Sequence, residues 1–571
     1  MATKPTEKHS AVAHDVEIIP GTEIMADVGG VHYAHAGGSQ SGSVLVPQPS
    51  NNPSDPLNWS LTWKLITAFS QLLYVWVLVC SALSLAPMFP FLGMEFHLGQ
   101  QQLSLLTGLN VITLGFANIL IVPLSNIFGR RPISIFFGFL VILTNIWQAL
   151  ATTHKSFLAA RACNGIVAAT SETIMVQVIA DMFYLHERGA WMGLYFTFYF
   201  SGAFLGPIMS GNIAARHGWR SFFWLSVALA AFVTILLIFA FPETRWRRSN
   251  GNHPSSSKAS KDIKNSSHVL DAPVDSEANS EYHDGQLVGK GNPSKAQWSP
   301  IQKPDGKWLQ FIVRDLTTPF LVFFNPIIFW AALMLAGPAD LLLLFNLTES
   351  GLFGSPAYNF SPGQVGYTNF AFFVGGLIGL ATAGPLSDWT ARLLTKRNGG
   401  IREAEFRLPS MIPYVIFFII SHVVGAVGYT RLWRWSAIVV CGFGFSGLAV
   451  TSIPTIAIAY AVDCYKPISG EIMIVATVLK NVLGFCLSYW VFQVLAEKGW
   501  IAVYMTQFAV SMFPVVLTIP LYFWGKSLRR WTKNSELHPD EPGLKFLMGE
   551  DVREELAEPG PSARVSMKAS L

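Results

Sequence analysis

Charge is what this sequence has least of: 13% of its 571 residues are charged, against roughly 25% in a soluble domain. A chain that poor in ionisable side chains cannot clothe an ordinary water-facing surface, so lipid must supply much of its surroundings. Cysteine is sparse too. Cys80, Cys163, Cys441, Cys464 and Cys486 stand singly, with no CxxC or CxxxC spacing, which excludes a paired redox or zinc motif and leaves small, buried apolar residues. The net charge of +4 is spread out, with no basic block to follow a phosphate backbone, so nucleic acid is not an expected partner. No GxxxxGK[ST] is present to couple ATP directly, and no HExxH, His-rich box or GxSxG to supply enzyme chemistry. Neither a metal nor a cofactor is therefore expected, and no enzymatic activity. The first residues lack a basic stretch running into a short apolar core, so the first long apolar segment is expected to act as the targeting signal.

What the chain has in abundance is apolar length: 51% of residues are hydrophobic and 13% aromatic. From Trp63 the apolar stretches run to about twenty residues, enough to cross ~30 Å of hydrocarbon as helix. Six are read at roughly 65 to 88, 104 to 125, 132 to 151, 156 to 180, 190 to 213 and 221 to 242. Six more are read at roughly 320 to 346, 364 to 387, 410 to 429, 435 to 460, 470 to 496 and 501 to 525. The expected fold is all-α and integral to the membrane, with twelve transmembrane helices in two six-helix pseudo-repeats. Its expected parts are a disordered tail over 1–62, a first half over 63–242, a flexible connector over 243–318, a second half over 319–527 and a tail over 528–571.

Basic residues set the orientation, because Lys and Arg resist translocation. Arg130, Arg131, Arg188, Arg245, Arg247, Arg248, Arg392, Lys396, Arg397, Arg402, Arg407, Lys466, Arg529 and Arg530 crowd one side; Lys155, Arg216, Arg220, Arg431, Arg434 and Lys498 are the fewer on the other. Both termini and the connector are thus expected in the cytosol of a multi-pass protein of the plasma membrane, with the vacuolar membrane as the alternative. Asn346-Leu-Thr348 then falls at the outer end of span seven and is a candidate glycosylation site.

A repeat underlies the two sets. Pro123-Leu124-Ser125-Asn126 closes span two and Pro385-Leu386-Ser387-Asp388 closes span eight, the same place in each half, as a duplicated transporter would have it. Around the first copy, residues 122 to 131 resemble the signature loop of the major facilitator superfamily. Gly129, Arg130 and Arg131 keep the pattern, whereas Val122 and Asn126 replace its opening glycine and its aspartate. The second copy keeps Gly384 and Asp388 and loses the later glycine, so the gating charges implied by the resemblance fall more on the second half. Arg161-Ala-Cys-Asn-Gly165 resembles the motif whose arginine is associated with proton coupling in drug/proton antiporters. Gly202, Gly206, Pro207 and Gly211 resemble the antiporter signature of span five, with Ser210 in place of one glycine. Small residues four apart clear a helix face for close approach, and proline lets the helix bend. Asp55-Pro-Leu-Asn-Trp59, Phe241-Pro-Glu-Thr244 and the run from Asp463 to Glu471 are similar to the fungal twelve-span drug and polyamine antiporter branch. Asn398-Gly-Gly-Ile-Arg402 resembles its subgroup related to the yeast histidinol and polyamine transporter.

An ionised side chain at mid-bilayer costs at least ~2.5 kcal/mol, so it faces a partner or an aqueous cavity. Arg161, Glu172, Asp340 and Lys480 are the candidates for a substrate or proton pathway. Arg161 and Glu172 are spaced to return to one face of span four, which is expected to line a cavity. Glu172 reads as a cation or proton site or as the partner of Lys480. Arg161 reads as an electrostatic tuner or a packing residue, Asp340 as a pathway or vestibule group near the outer third of its span, and Lys480 as a partner or a snorkelling cation. The function implied is proton-coupled secondary transport of a small organic molecule, cationic or amphipathic, by efflux in exchange for protons. Uptake of polyamines or related cations is the alternative, and a non-transporting receptor a remote one. The expected partners are the substrate, protons and the bilayer, and the protein is expected to work as a monomer.

Overall fold

The computed structural model describes residues 22–24, 50, 52–246, 289–299, 308–398, 401–465 and 468–532. Arg247, Arg248, Lys466 and most of the two tails and the connector lie outside these residues. Eleven apolar helical stretches are long enough to cross a membrane, from Leu61–Phe96 to Gly470–Trp531. The last is two spans: Gly499 sits at φ 77° and breaks it, so the described residues hold twelve. Gly218 (φ 81°) makes the corresponding turn between spans five and six, and Gly129 (φ 100°) the one between spans two and three. Only a residue without Cβ takes such dihedrals cheaply, which is why glycine marks the same corner of both halves.

Duplication is visible in the charges as well. In the first half Arg130 pairs with Asp181 at 3.0 Å and donates to Ser125 O at 3.2 Å. In the second, Arg407 pairs with Asp463 at 2.6 Å and Asp388 at 2.7 Å and donates to Ser387 Oγ at 3.2 Å. Each cluster ties the ends of the second, third and fourth spans of its own half. Even span numbers return each half to the face on which it started, so the ends of the bundle at residues 61 and 531 share one face, called here the terminal face.

The halves meet along spans two and eleven and along spans five and eight. At the far face they are shut: Ser350 donates to Ala86 O, Ser104 Oγ donates to Ser488 O at 2.7 Å, and Gly211 and Gly366 let span five lie directly on span eight. Toward the terminal face, a Cβ on Gly189, Gly193 or Gly384 would meet nothing within 4 Å. Around the waist, large apolar side chains such as Phe239, Phe116 and Phe523 point outward, as a lipid-facing belt requires.

Two features depart from the sequence reading. Span seven runs Pro326–Phe353, later than 320 to 346, because Asn325 caps it by accepting from Ile327 N and Ile328 N and Pro326 occupies the first turn. The apolar residues before it form a separate helix, Trp308–Phe323. Residues 289–299, expected to be flexible connector, are held against the first half: Gly291 exchanges backbone hydrogen bonds with Asn58 and Ser60, and Arg131 donates to Trp298 O and Ser299 O. A short strand pair, β1 (Thr22–Ile24) with β2 (Ile401–Glu403), is antiparallel with Thr22 opposite Glu403.

Candidate transport cavity

A cavity of about 1030 Å3, counting the part that joins solvent, lies between the halves. Spans one, two, four and five supply one wall, spans seven, ten and eleven the other. Glu172, Asp340 and Lys480 all line it.

Glu172 is the meeting point. Its Oε1 accepts from Lys480 Nζ at 2.6 Å and from the Tyr199 hydroxyl at 2.7 Å; its Oε2 accepts from Asn118 Nδ2 at 3.0 Å and Asn481 Nδ2 at 3.2 Å. Four donors on one buried carboxylate, one of them charged, repay much of its desolvation. Lys480 and Asn481 belong to span eleven, so this carboxylate pins the two halves together at mid-membrane. Lys480 also lies 5.6 Å from the Tyr199 ring centroid.

Asp340 sits midway along Pro326–Phe353, deeper than the outer-third position expected from the earlier span limits. It is 3% exposed, and Lys480 is the cation that acts on it electrostatically. No hydrogen bond or ion pair is made by its carboxylate among the described residues. Gly484 of span eleven leaves room beside it: a Cβ there would stand 3.5 Å from Oδ1.

Arg161 does not line the cavity. It is fully buried within the first half, donating to Ala82 O at 2.6 Å, Leu106 O at 3.3 Å and Gln148 Oε1 at 3.4 Å. The single-face expectation for span four fails because the span is two helical segments, His154–Ala168 and Thr170–Met182, and because at the depth of Arg161 spans one, two and three close around it. Asn346 is buried inside its helix, with 7% of its surface exposed, and has no room for an oligosaccharide in this conformation.

The gating candidates divide. Gly202 and Gly206 let span five approach span one at Val79 and Cys80, while Gly211 and Pro207 face span eight at Pro362 and Gly366. Asn126 donates to Asp315 on the Trp308–Phe323 helix at 2.7 Å. The amides of Arg130 and Arg131, freed by the turn at Gly129, donate to the Glu243 carboxylate at 3.0 and 3.1 Å. Gly384 is open, and Asp388 is bound to Arg407.

Sequence reasoning missed the aromatic wall as a unit. Phe196, Phe200, Phe204 and Phe372 stack in sequence at 6.2, 5.9 and 5.7 Å, carrying a flat apolar surface from span five across to span eight. Their spacing of four in span five was the available signal.

The sequence profile described as Major Facilitator Superfamily matches residues 71–489. The chain is 28% identical to Protein HOL1 of Saccharomyces cerevisiae over 544 residues, covering 87% of this chain and 92% of that protein. It is 27% identical to the MFS transporter cpaT of Aspergillus oryzae, covering 84% and 90%. The human organic anion transporter MFSD10 (TETRAN) shares its fold, with a TM-score of 0.50 at 14% identity, covering 80% of this chain and 99% of that one.

Proposed function

Because this chain belongs to the Major Facilitator Superfamily, and is a membrane transporter similar to fungal members of it, we propose that it exports a small organic cation with an apolar or aromatic body in exchange for protons. The observation that carries this reading is the charge of the cavity: two carboxylates, Glu172 and Asp340, face one ammonium, Lys480. With Glu172 engaged by Lys480, Asp340 leaves the site one negative charge from neutral. A proton or a cationic substrate can supply that charge, but not both at once, so each displaces the other. Competition for one site is sufficient for exchange in a protein that opens alternately to its two faces. The rings of Phe196 and Phe200 supply the apolar contact, and Tyr199 an aromatic face for the cation.

Arg161 enters this reading as a packing residue of the first half. The excess of basic residues at the terminal face supports a cytosolic reading of that face, in the plasma membrane or, as the alternative, the vacuolar membrane. In proteoliposomes, a pH gradient, acid on the side opposite the substrate, should drive the cation out against its own gradient. Accumulation of substrate together with protons would make the protein an uptake system, and flux indifferent to the gradient would reject proton coupling.

A further inference from the structure

Glu349 lies outside the cavity, near the far-face end of span seven, and is fully buried. Its Oε2 accepts from Asn369 Nδ2 of span eight at 2.9 Å, while its Oε1 is buried with no hydrogen-bond partner. Thr368 is its other polar neighbour on span eight. From span nine, Tyr429 is near enough to act on it electrostatically, and the Tyr429 ring packs edge-on against Tyr504 of span twelve at 5.3 Å. Asp340 is the other acid on its own span, more than two turns away. No Lys, Arg or His pairs with Glu349 among the described residues. Its neighbour Ser350 makes the contact to Ala86 that joins the halves, and one turn from Asn369, Gly366 lies on Pro207 and Ile208 of span five.

A carboxyl sealed in this way, with one neutral donor and no cation, cannot keep a negative charge cheaply. The seam beside it is the one that must open when the protein turns to its far face, and opening brings water to it. We propose that Glu349 is a proton-binding site of the far-face gate, and that it must take up a proton from the far side before the two halves can close over it. The proton leaves to the same side when the gate reopens, so this site sets the rate of closure and adds nothing to the protons exchanged in the cavity. It is independent of what the cavity carries.

The test uses the full-length protein in proteoliposomes loaded with a transported substrate, measuring substrate-for-substrate exchange while the far-side pH is raised and the near-side pH is held. Exchange should fall by up to about tenfold per pH unit above a single midpoint, since closure waits for one proton. Glu349→Gln, neutral at every pH and able to keep the Asn369 contact, should exchange at a rate independent of far-side pH with its apparent affinity for substrate unchanged. The proposal is overturned if Glu349→Gln keeps the wild-type pH profile, or if the wild-type profile is flat. Should Glu349→Gln not reach the membrane, Asn369→Ala serves: the carboxyl loses its donor, and the midpoint should move to higher pH; an unmoved midpoint rejects the proposal.

Discussion

At the scale of single residues, Glu172 and Asp340 are both buried acids in one cavity, and their surroundings assign them different work. Glu172 has four donors and holds the halves together; Asp340 has none of its own and is left to the substrate. Glu172→Gln removes the partner of Lys480 and should cost stability on the order of 3 kcal/mol, read as a lower melting temperature of the purified protein. Adding Lys480→Met, which removes the stranded ammonium, should restore most of that loss without restoring transport. Asp340→Asn should behave in the opposite way. It removes a carboxylate with no partner, so melting should stay level or rise, while proton-driven transport of a cation falls at least about tenfold. Equal loss of stability in the two single variants would contradict the division.

At the scale of elements, the connector helix Trp308–Phe323 accounts for one departure from the family pattern. Asn126 stands where the signature loop has an acid, and it donates to Asp315; two carboxylates at 2.7 Å would repel. Asn126→Asp should therefore lower transport by weakening the docking of this helix, and Asp315→Asn in the same protein should recover it. If the double variant is no better than Asn126→Asp alone, the helix is not what makes asparagine fit. Span five carries a second expectation. A Cβ on Gly211 would come within 2.6 Å of Pro362 O, a backbone atom that cannot step aside. Gly211→Ala should wedge the far-face seam, and an impermeant thiol reagent should then label a cysteine placed at Ser350 faster than in a Gly211 background.

At the scale of the whole molecule, the twelve spans and their duplication were legible because hydropathy and the paired Pro-Leu-Ser tetrapeptides depend on local sequence alone. Three of the four intramembrane charges were brought together as a site, since an ion in hydrocarbon must face something polar. The rest depended on register and on neighbours. Trp308–Phe323 is apolar enough to blur into span seven, which drew the span too early, set Asp340 too near its outer end and left Glu349 beyond it. Arg161 was given the cavity by helical spacing, but which face of a span meets the cavity is decided by the other spans around it. Tyr199 carries no charge and no motif, and only the fold brings its hydroxyl to Glu172.

The account stands most directly on competition between a proton and a cation at Asp340. Adding a transported cation to the purified protein in weakly buffered detergent solution, with a pH-sensitive dye, counts the protons displaced on binding. Near neutral pH the wild type should release up to about one proton per cation bound, and Asp340→Asn none while still binding a neutral analogue. Binding without proton release in the wild type, or undiminished release in Asp340→Asn, would contradict it.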